Sequence, residues 1–384
     1  MFGYCIKCNA VATDGLCAIH GATQPMSHVT SPDIHPLSNF EKEFINERLD
    51  GTRLGEGLFL IYSDRMYRRK VITLDRPLVE IRLLAGSFHV KPLVKGHFQG
   101  MNPESVVKVN RNRTMRLAEV SRSFAAWELR DSKNAVISFS GGKDSVVLLD
   151  LLRDFNLKCV LIDTRLEFPE TYNFIRQLKA AGQHIDVAKA ANSFFTLCNY
   201  RGFPEHGNRW CCKTQKFEPF KEYIKANFGD ENILVFSGER RSEGLYRINQ
   251  PMKKPHKHIT NQVTVQPLLD WLSLDVWSYI WQHQLPTNQV YQYFDRAGCW
   301  LCPFGLEYRI FLLQYTHPKL YKALAKIGFL KMMLTNGKAR TPEPHRPCTM
   351  SMNGKTVKTC KVYGHLFING FCFRCGKSGP STTV

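Results

Sequence analysis

The sequence predicts a doubly wound α/β protein on a parallel sheet, with a small N-terminal β module and a cysteine-rich knuckle near each end. Two observations carry the sheet. The apolar run Ala135–Phe139 breaks into Ser140-Gly141-Gly142-Lys143-Asp144-Ser145, then resumes at helical spacing with Val146, Leu149 and Leu152. Further short apolar runs at Lys158–Ile162, His184–Ala188 and Ile233–Ser237 alternate with helical patterns, as in an open parallel sheet. The third observation is the pairing of cysteines with cysteine or histidine near both ends, at residues 5–20 and 360–375.

Composition limits the function classes. Of 384 residues, 43% are hydrophobic and 22% charged, which specifies a globular chain with room for two or three domains. No run of 18 apolar residues occurs and Met1–Cys5 lacks a leader layout, so a cytoplasmic protein with no membrane association is expected. In that compartment thirteen cysteines imply metal or redox chemistry rather than disulfides. A formal net charge of +19 favours a polyanionic partner through counterion release, so nucleic acid is the expected partner. The alternative is that basicity serves only nucleotide binding and solubility.

Four regions follow in order. Residues 1–21 hold Cys5-x-x-Cys8 and Cys17-x-x-His20, two pairs of soft ligands with the spacing of a zinc knuckle. Residues 22–109 contain one helix near Pro36–Leu49. Apolar runs then follow at Leu58–Tyr62, Val71–Leu74, Val79–Leu84, His89–Val94 and Val106–Val109, read as a small basic β barrel of possible PUA-like form. Residues 110–334 form the main α/β domain. It opens with a helix over Asn110–Asp131 whose stripe of Met115, Leu117, Val120, Phe124 and Trp127 should pack on the sheet. Residues 335–384 comprise a proline-bearing linker and a second knuckle, with Cys360, His365, Cys372 and Cys375 as zinc ligands.

The turn after Phe139 is an anion site by construction. Gly141 and Gly142 let backbone N–H groups approach phosphates, the helix N-terminus favours negative charge, and Lys143 adds a cation. The spacing is not that of the Walker loop. Asp163 ends the next strand, at the edge where ligands sit in open parallel sheets. Arg240 and Arg241 follow a later strand, positioned to clamp a polyphosphate or phosphorylated substrate. Cys159 reads as core, and Cys198 as a possible catalytic thiol.

Cys211-Cys212 and Cys299-x-x-Cys302 form a second constellation. Adjacent cysteines share one tetrahedral ion poorly but can ligate different irons of a 4Fe–4S cluster, which C-x-x-C completes. A four-cysteine zinc site and unmetallated thiols remain the alternatives.

The Ser140–Ser145 loop resembles the signature of PP-loop ATP pyrophosphatases (adenine nucleotide α-hydrolase-like proteins). Together with Leu166-Glu167-Phe168-Pro169-Glu170-Thr171, Arg209-Trp210-Cys211-Cys212-Lys213, Gly238-Glu239-Arg240-Arg241-Ser242-Glu243 and Gly298-Cys299-Trp300-Leu301-Cys302-Pro303, residues 110–325 resemble the phosphoadenosine phosphosulfate reductase family. The set looks most like archaeal-type members with an N-terminal zinc module. The resemblance implies that Ser140, Gly141, Gly142, Lys143, Asp144 and Ser145 hold nucleotide phosphates. It also implies that Cys211, Cys212, Cys299 and Cys302 hold a cluster, while Arg240 and Arg241 face substrate. The nucleophilic C-terminal Glu-Cys-Gly-Leu/Ile-His segment of the reductases is not present in this sequence, and Lys143 suits ATP. The expectation is therefore an ATP- and Mg2+-dependent enzyme that adenylates its substrate and inserts sulfur into tRNA or DNA, fed by a sulfur donor protein. Lys143, Asp144, Arg240 and Arg241 would be catalytic. A phosphosulfate reductase, an adenylyl transferase resembling ATP sulfurylase and a non-catalytic nucleic-acid-binding protein are the other readings.

Overall fold

The computed structural model describes residues 2–326 except 30, 32, 64–68, 74–75, 85–86, 205–207, 245–246 and 303–305, and beyond 326 only four short strands. The chain begins with five very short strands: β1 (Gly3–Cys5), β2 (Ala10–Ala12), β3 (Leu16–Cys17), β4 (Gly21–Ala22) and β5 (Gln24–Pro25). They pair as a three-stranded β2-β1-β5 sheet and a β3-β4 hairpin. A second sheet follows from β6 (His35–Pro36), β8 (Leu60–Ser63), β9 (Arg69–Ile72), β10 (Pro77–Leu84) and β11 (Ser87–Pro92), after helix α1 (Asn39–Asn46) and strand β7 (Thr52–Leu54). Its order is β11-β10-β9-β8-β6, and β12 (Gly96–Phe98) pairs with β7 in parallel beside it.

The expected barrel is thus an open antiparallel sheet with β6 and β11 at its edges. The run Val106–Val109 is no strand of it, because helix α2 (Pro103–Leu129) starts earlier than the sequence pattern suggested. Asn102 caps that helix by accepting from the Glu104 N–H at 2.8 Å, and Pro103 occupies its first turn. A four-residue apolar run reads equally as strand or buried helix, and here the cap decides.

The predicted stripe on α2 also differs. Leu117 and Phe124 pack against the sheet's core as expected, but Met115, Val120 and Trp127 are 53%, 54% and 62% exposed, and the fully buried face is Val106, Val109, Asn110, Thr114, Ser121 and Ala125. That face is partly polar because its groups are hydrogen-bonded. Asn110 accepts from the Thr13 N–H and donates to the Val11 carbonyl, both at 2.8 Å. Ser121 donates to the Pro267 carbonyl and accepts from Trp271 Nε1. Polar atoms so paired can be buried without large penalty, which a hydropathy pattern does not register.

The main domain is a six-stranded sheet built on β13 (Ala135–Phe139), β14 (Lys158–Asp163), β15 (Ile185–Lys189), β16 (Ile233–Phe236), β17 (Lys253–Pro255) and β18 (Gln262–Val265). Helices α3 (Lys143–Leu151), α4 (Pro169–Ala180), α5 (Phe194–Arg201), α6 (Trp210–Cys212), α7 (Glu218–Phe228) and α8 (Ser273–Gln282) intervene or follow. The order is β15-β14-β13-β16-β18-β17, all parallel except the antiparallel edge strand β17. The sheet is doubly wound, and its strand order reverses between β13 and β16.

Side chains alternate across this sheet. Ile137, Leu234 and Phe236 join α3 and α8 in one cluster, while Val136, Val160, Ile233 and Val235 join α7 in another. Each fully buried Val, Ile or Phe contributes about 1.5–3 kcal/mol. Helices α9 (Leu306–Thr316) and α10 (Pro318–Lys326) close the body. Beyond it lie hairpins β19 (Thr349–Met352) with β20 (Lys355–Lys358) and β21 (Phe367–Ile368) with β22 (Phe371–Cys372). Among the described residues no helix is long and apolar enough to cross a membrane.

One buried carboxylate ties the N-terminal module to the sheet domain. Asp275 in α8 is fully buried and accepts from Arg113 Nε and Nη2 (2.9 Å each), Thr13 Oγ1 (2.8 Å) and the Leu272 N–H (2.8 Å). Asp275→Ala is expected to cost about 3 kcal/mol of unfolding free energy, read by urea denaturation, because it strands a largely buried guanidinium.

Candidate functional site

The loop between β13 and α3 occupies the point where the strand order reverses. Gly141 has φ +69°, a left-handed backbone that disfavours any side chain, although a Cβ there would only touch Ile175 and Thr171 at 3.4 Å. The turn is braced internally. Ser140 Oγ accepts the Gly142 N–H at 3.3 Å, and Ser145 Oγ donates to the Gly142 carbonyl at 2.8 Å. Two residues from the chain's later part complete it: Asn288 donates to the Gly141 carbonyl, and Tyr291 Oη accepts the Lys143 N–H at 2.8 Å.

Lys143 and Asp144 open α3 with Gly142 as its N-cap. Lys143 Nζ donates to Asp144 Oδ2 at 2.7 Å, and both side chains are largely buried. Arg240, on the loop after β16, donates from Nε to Asp144 Oδ1 at 2.7 Å and from Nη1 to Asp33 at 3.3 Å. Gly238 permits this approach, since a Cβ there would lie 3.0–3.2 Å from Asp144 atoms. Burial disfavours the Asp144 carboxylate, but Arg240 and Lys143 outweigh it and hold its pKa down to about 2. Arg241 departs from expectation. It pairs with Asp270 at 2.5 Å and donates to the Ile248 and Gln250 carbonyls, because the chain reverses after Arg240 and turns successive side chains apart. Asp163, at the end of β14, accepts from the Arg165 N–H (2.8 Å) and Tyr172 Oη (2.7 Å), and so shapes the β14–α4 loop.

The cysteines reach the same sheet edge. The Trp300 N–H donates to the Leu166 carbonyl at 2.8 Å, fastening the Cys299–Cys302 segment to the β14–α4 loop. Cys299 Sγ lies 3.3 Å from Thr164 Oγ1 and 3.9 Å from Glu167 Oε1, and Arg309 donates to its carbonyl. Glu167 is buried, and burial pushes its pKa up to about 7. Cys211 is pushed upward, first by its hydrogen bond with Cys212 and then by burial and the Cys212, Cys299 and Cys302 thiols nearby. Cys212 is held down to about 6 by that same bond and by Lys216, Arg209 and Arg296. Lys213–Phe217 continues from Cys212 as a π-helical turn. Cys159 is fully buried core. Burial raises Cys198 to about 11, the opposite of what an activated nucleophile needs.

A buried polar network supports this segment from the N-terminal module. Arg69 of β9 reaches Asp295 at 2.7 Å and Glu41 at 3.2 Å, with its guanidinium 4.1 Å from the centre of the Tyr308 ring. His35 adds a 3.2 Å contact to Asp295, and Tyr308 Oη donates to Glu41 at 2.5 Å.

At the N-terminus, Cys5, Cys8, Cys17 and His20 converge, with all four ligand atoms within 4.8 Å of one another. His20 Nδ1 is 3.4, 3.3 and 3.7 Å from the sulfurs of Cys5, Cys8 and Cys17, and Cys8 and Cys17 are 3.8 Å apart. Those are close to the edges of a tetrahedron with metal–sulfur bonds of about 2.3 Å and metal–nitrogen bonds of about 2.0 Å. Among the described residues this is the only such compact group, so Cys211, Cys212, Cys299 and Cys302 do not close to single-ion dimensions. Of the C-terminal ligands, Cys360, His365 and Cys375 lie outside the described residues, and Cys372 ends β22, where only the backbone is described.

Local patterns did not reveal Asp33, Tyr291, Asn288 or Lys216, which meet the site only through tertiary structure. Glu167 did stand inside a quoted motif. The Asp144 cluster carries a pH signature. Its folded pKa lies below the ordinary 3.8, so its stabilisation is complete above about pH 4 and is lost as pH falls toward 2. Wild type should exceed Asp144→Asn in stability by roughly 2 kcal/mol at pH 7, and chemical denaturation should show this gap narrowing below pH 4.

Residues 134–304 match the family model of the phosphoadenosine phosphosulfate reductase domain. An uncharacterized protein of Methanocaldococcus jannaschii is 33% identical over 226 residues, 57% of this chain and 54% of that protein. The chain therefore spans about half the length of that relative, and it spans 36% of a second protein from the same organism. Adenosine 5'-phosphosulfate reductase 2 of Bacillus subtilis is 28% identical over 189 residues, 46% of this chain and 75% of the enzyme. The crystal structure of phosphoadenylyl-sulfate reductase from Candida auris, a phosphate complex, covers 50% of this chain and 97% of its own, at 20% identity and a TM-score of 0.39. Residues 134–304, just under half of the chain, are thus similar to the phosphoadenosine phosphosulfate reductase domain.

Proposed function

We propose that this protein is an ATP-dependent sulfur-transfer enzyme that adenylates a nucleic-acid substrate, tRNA or DNA, and replaces an oxygen by sulfur. The observation that supports it is the convergence of the Lys143–Asp144–Arg240 cluster and four cysteines on one edge of the sheet. ATP phosphates would lie on the Ser140–Ser145 loop, and the ionised Asp144 suits Mg2+ as a hard oxygen donor. A substrate oxygen attacks the α-phosphorus, the Pα–O–Pβ bond breaks and pyrophosphate leaves. Sulfur at the sulfide level, supplied by a donor protein, then attacks the activated carbon. The C–O bond breaks, AMP departs with the electron pair, and the sulfur's proton passes to solvent. Lys143, Arg240 and backbone N–H groups act by positioning and by stabilising the developing charge.

The donor sets fit two different metal groups. Cys5, Cys8, Cys17 and His20 fit one tetrahedral Zn2+. The more open Cys211, Cys212, Cys299 and Cys302 set would hold a 4Fe–4S cluster, which when bound would supply an iron–sulfide centre. The net charge of +19 supports a nucleic-acid substrate. A second reading, phosphosulfate reduction, is favoured by the likeness to adenosine 5'-phosphosulfate reductases over 46% of the chain.

Incubation of anaerobically purified enzyme with ATP, sulfide and tRNA or DNA should yield AMP, pyrophosphate and a thiolated nucleoside by mass spectrometry. Sulfite release from a phosphosulfate with a thiol reductant and no ATP use would establish the reductase instead. Lys143→Ala should lower pyrophosphate release per folded enzyme by about 10²–10³-fold, the effect of losing one transition-state donor. Metal analysis should find iron and acid-labile sulfide. Cys8→Ser should lose one equivalent of zinc per chain while retaining the iron.

A further inference from the structure

Beside the cysteine pair lies a surface that the chemistry above does not use. The run Lys253-Lys254-Pro255-His256-Lys257-His258 forms the edge strand β17 and the turn after it. That turn is held in place: the His256 N–H donates to the Gln262 carbonyl at 2.9 Å, and the His258 N–H donates to His256 Nδ1 at 3.2 Å. Phe217, the last residue of the π-helical turn after Cys212, stacks on His258 with centroids 4.9 Å apart and an interplanar angle of 22°. Its ring also meets His256 edge-on at 5.2 Å. Segments about forty residues apart thus build one fixed ring cluster.

Cations surround the rings. Lys253 is paired with Glu128 and Lys254 with Glu239. Lys213, Lys216 and Lys257 are exposed and make no ion pair among the described residues. Lys216 joins the ring cluster to the site. Its charge acts on Cys212, Cys299 and Glu167 on one side, and on Glu239 and His256 on the other. The π-helical turn Lys213–Phe217 starts directly after Cys212 and ends in the ring that packs on His256 and His258, so it links the sulfurs to the ring cluster past Lys213 and Lys216. Stacking rings interleaved with unpaired lysines match a strand whose bases are unstacked from a partner and whose phosphates face outward. A duplex would keep the reacting base out of reach of these sulfurs.

We propose that Phe217, His256 and His258, with Lys213, Lys216 and Lys257, dock an unpaired stretch of RNA or DNA and lead it to Cys212. This rests on the nucleic-acid reading above. The competing role for lysines on an edge strand is to block edge-to-edge pairing, which needs no ligand.

The test is fluorescence anisotropy on the full-length chain with labelled single-stranded RNA and DNA 20-mers and the matching duplexes. Wild type should bind the single strands more tightly than the duplexes. Phe217→Ala should weaken that binding about tenfold, the effect of one lost base stack. Lys257→Glu, at an exposed position that leaves the fold intact, should also weaken it and flatten the dependence of log affinity on log salt by about one. Which single strand binds more tightly separates RNA from DNA. Unchanged affinity in both variants, with wild type binding well, overturns this docking surface and leaves the nucleic-acid reading standing. Preference for duplex overturns the unpaired-strand assignment. No binding by wild type to any oligonucleotide overturns the nucleic-acid reading and this inference together.

Discussion

The contact between Asp144 and Arg240 is the constraint on which the site depends. It joins the first residues of α3 to the loop after β16, the two connections that leave the sheet in opposite directions from neighbouring strands. Parallel strands that diverge in this way open a crevice, and the 2.7 Å ion pair spans it. Everything around the pair conforms to it. Gly238 lacks a side chain where Asp144 passes, Lys143 folds back onto the same carboxylate, and Asp33 caps the far side of the guanidinium. A polyphosphate entering this crevice would meet cations already desolvated and oriented, with little reorganisation left to perform.

What the sequence revealed divides along a physical line. The Gly-Gly turn between β13 and α3, the parallel strands and the convergence of Cys5, Cys8, Cys17 and His20 were legible because each depends on local spacing. The buried face of α2 was not legible. Its inward residues include Asn110, Thr114 and Ser121, whose partners sit far along the chain or within the helix itself, and a polar side chain shows its partner only in the folded state. The same holds for Tyr291, which accepts the Lys143 N–H from 148 residues away, and for Asp33, which meets Arg240 from 207 residues away. The arginine pair shows the limit of proximity in sequence, since Arg240 enters the crevice and Arg241 leaves it.

The two cysteine groups differ in ways their sequence spacing only hinted at. The N-terminal four collapse to the size of a single ion. The Cys211, Cys212, Cys299 and Cys302 thiols stay further apart, with the Lys216 charge acting on Cys212 and Cys299 and Glu167 acting on Cys299. The first arrangement staples a short loop that has little core of its own. The second places soft donors where a cationic rim and a protonatable carboxylate already stand.

The network of Arg69, Glu41, His35, Asp295 and Tyr308 bears on where this molecule can be cut. The family match runs from 134 to 304, yet the segment carrying Cys299 and Cys302 is braced from outside that interval, by a guanidinium that β9 delivers from the N-terminal module. Removing the first hundred residues would take Arg69 and His35 away from Asp295, four residues before Cys299, and Glu41 away from Tyr308. The unit of evolutionary resemblance and the unit of mechanical integrity are therefore different lengths of chain, and the longer one makes the site.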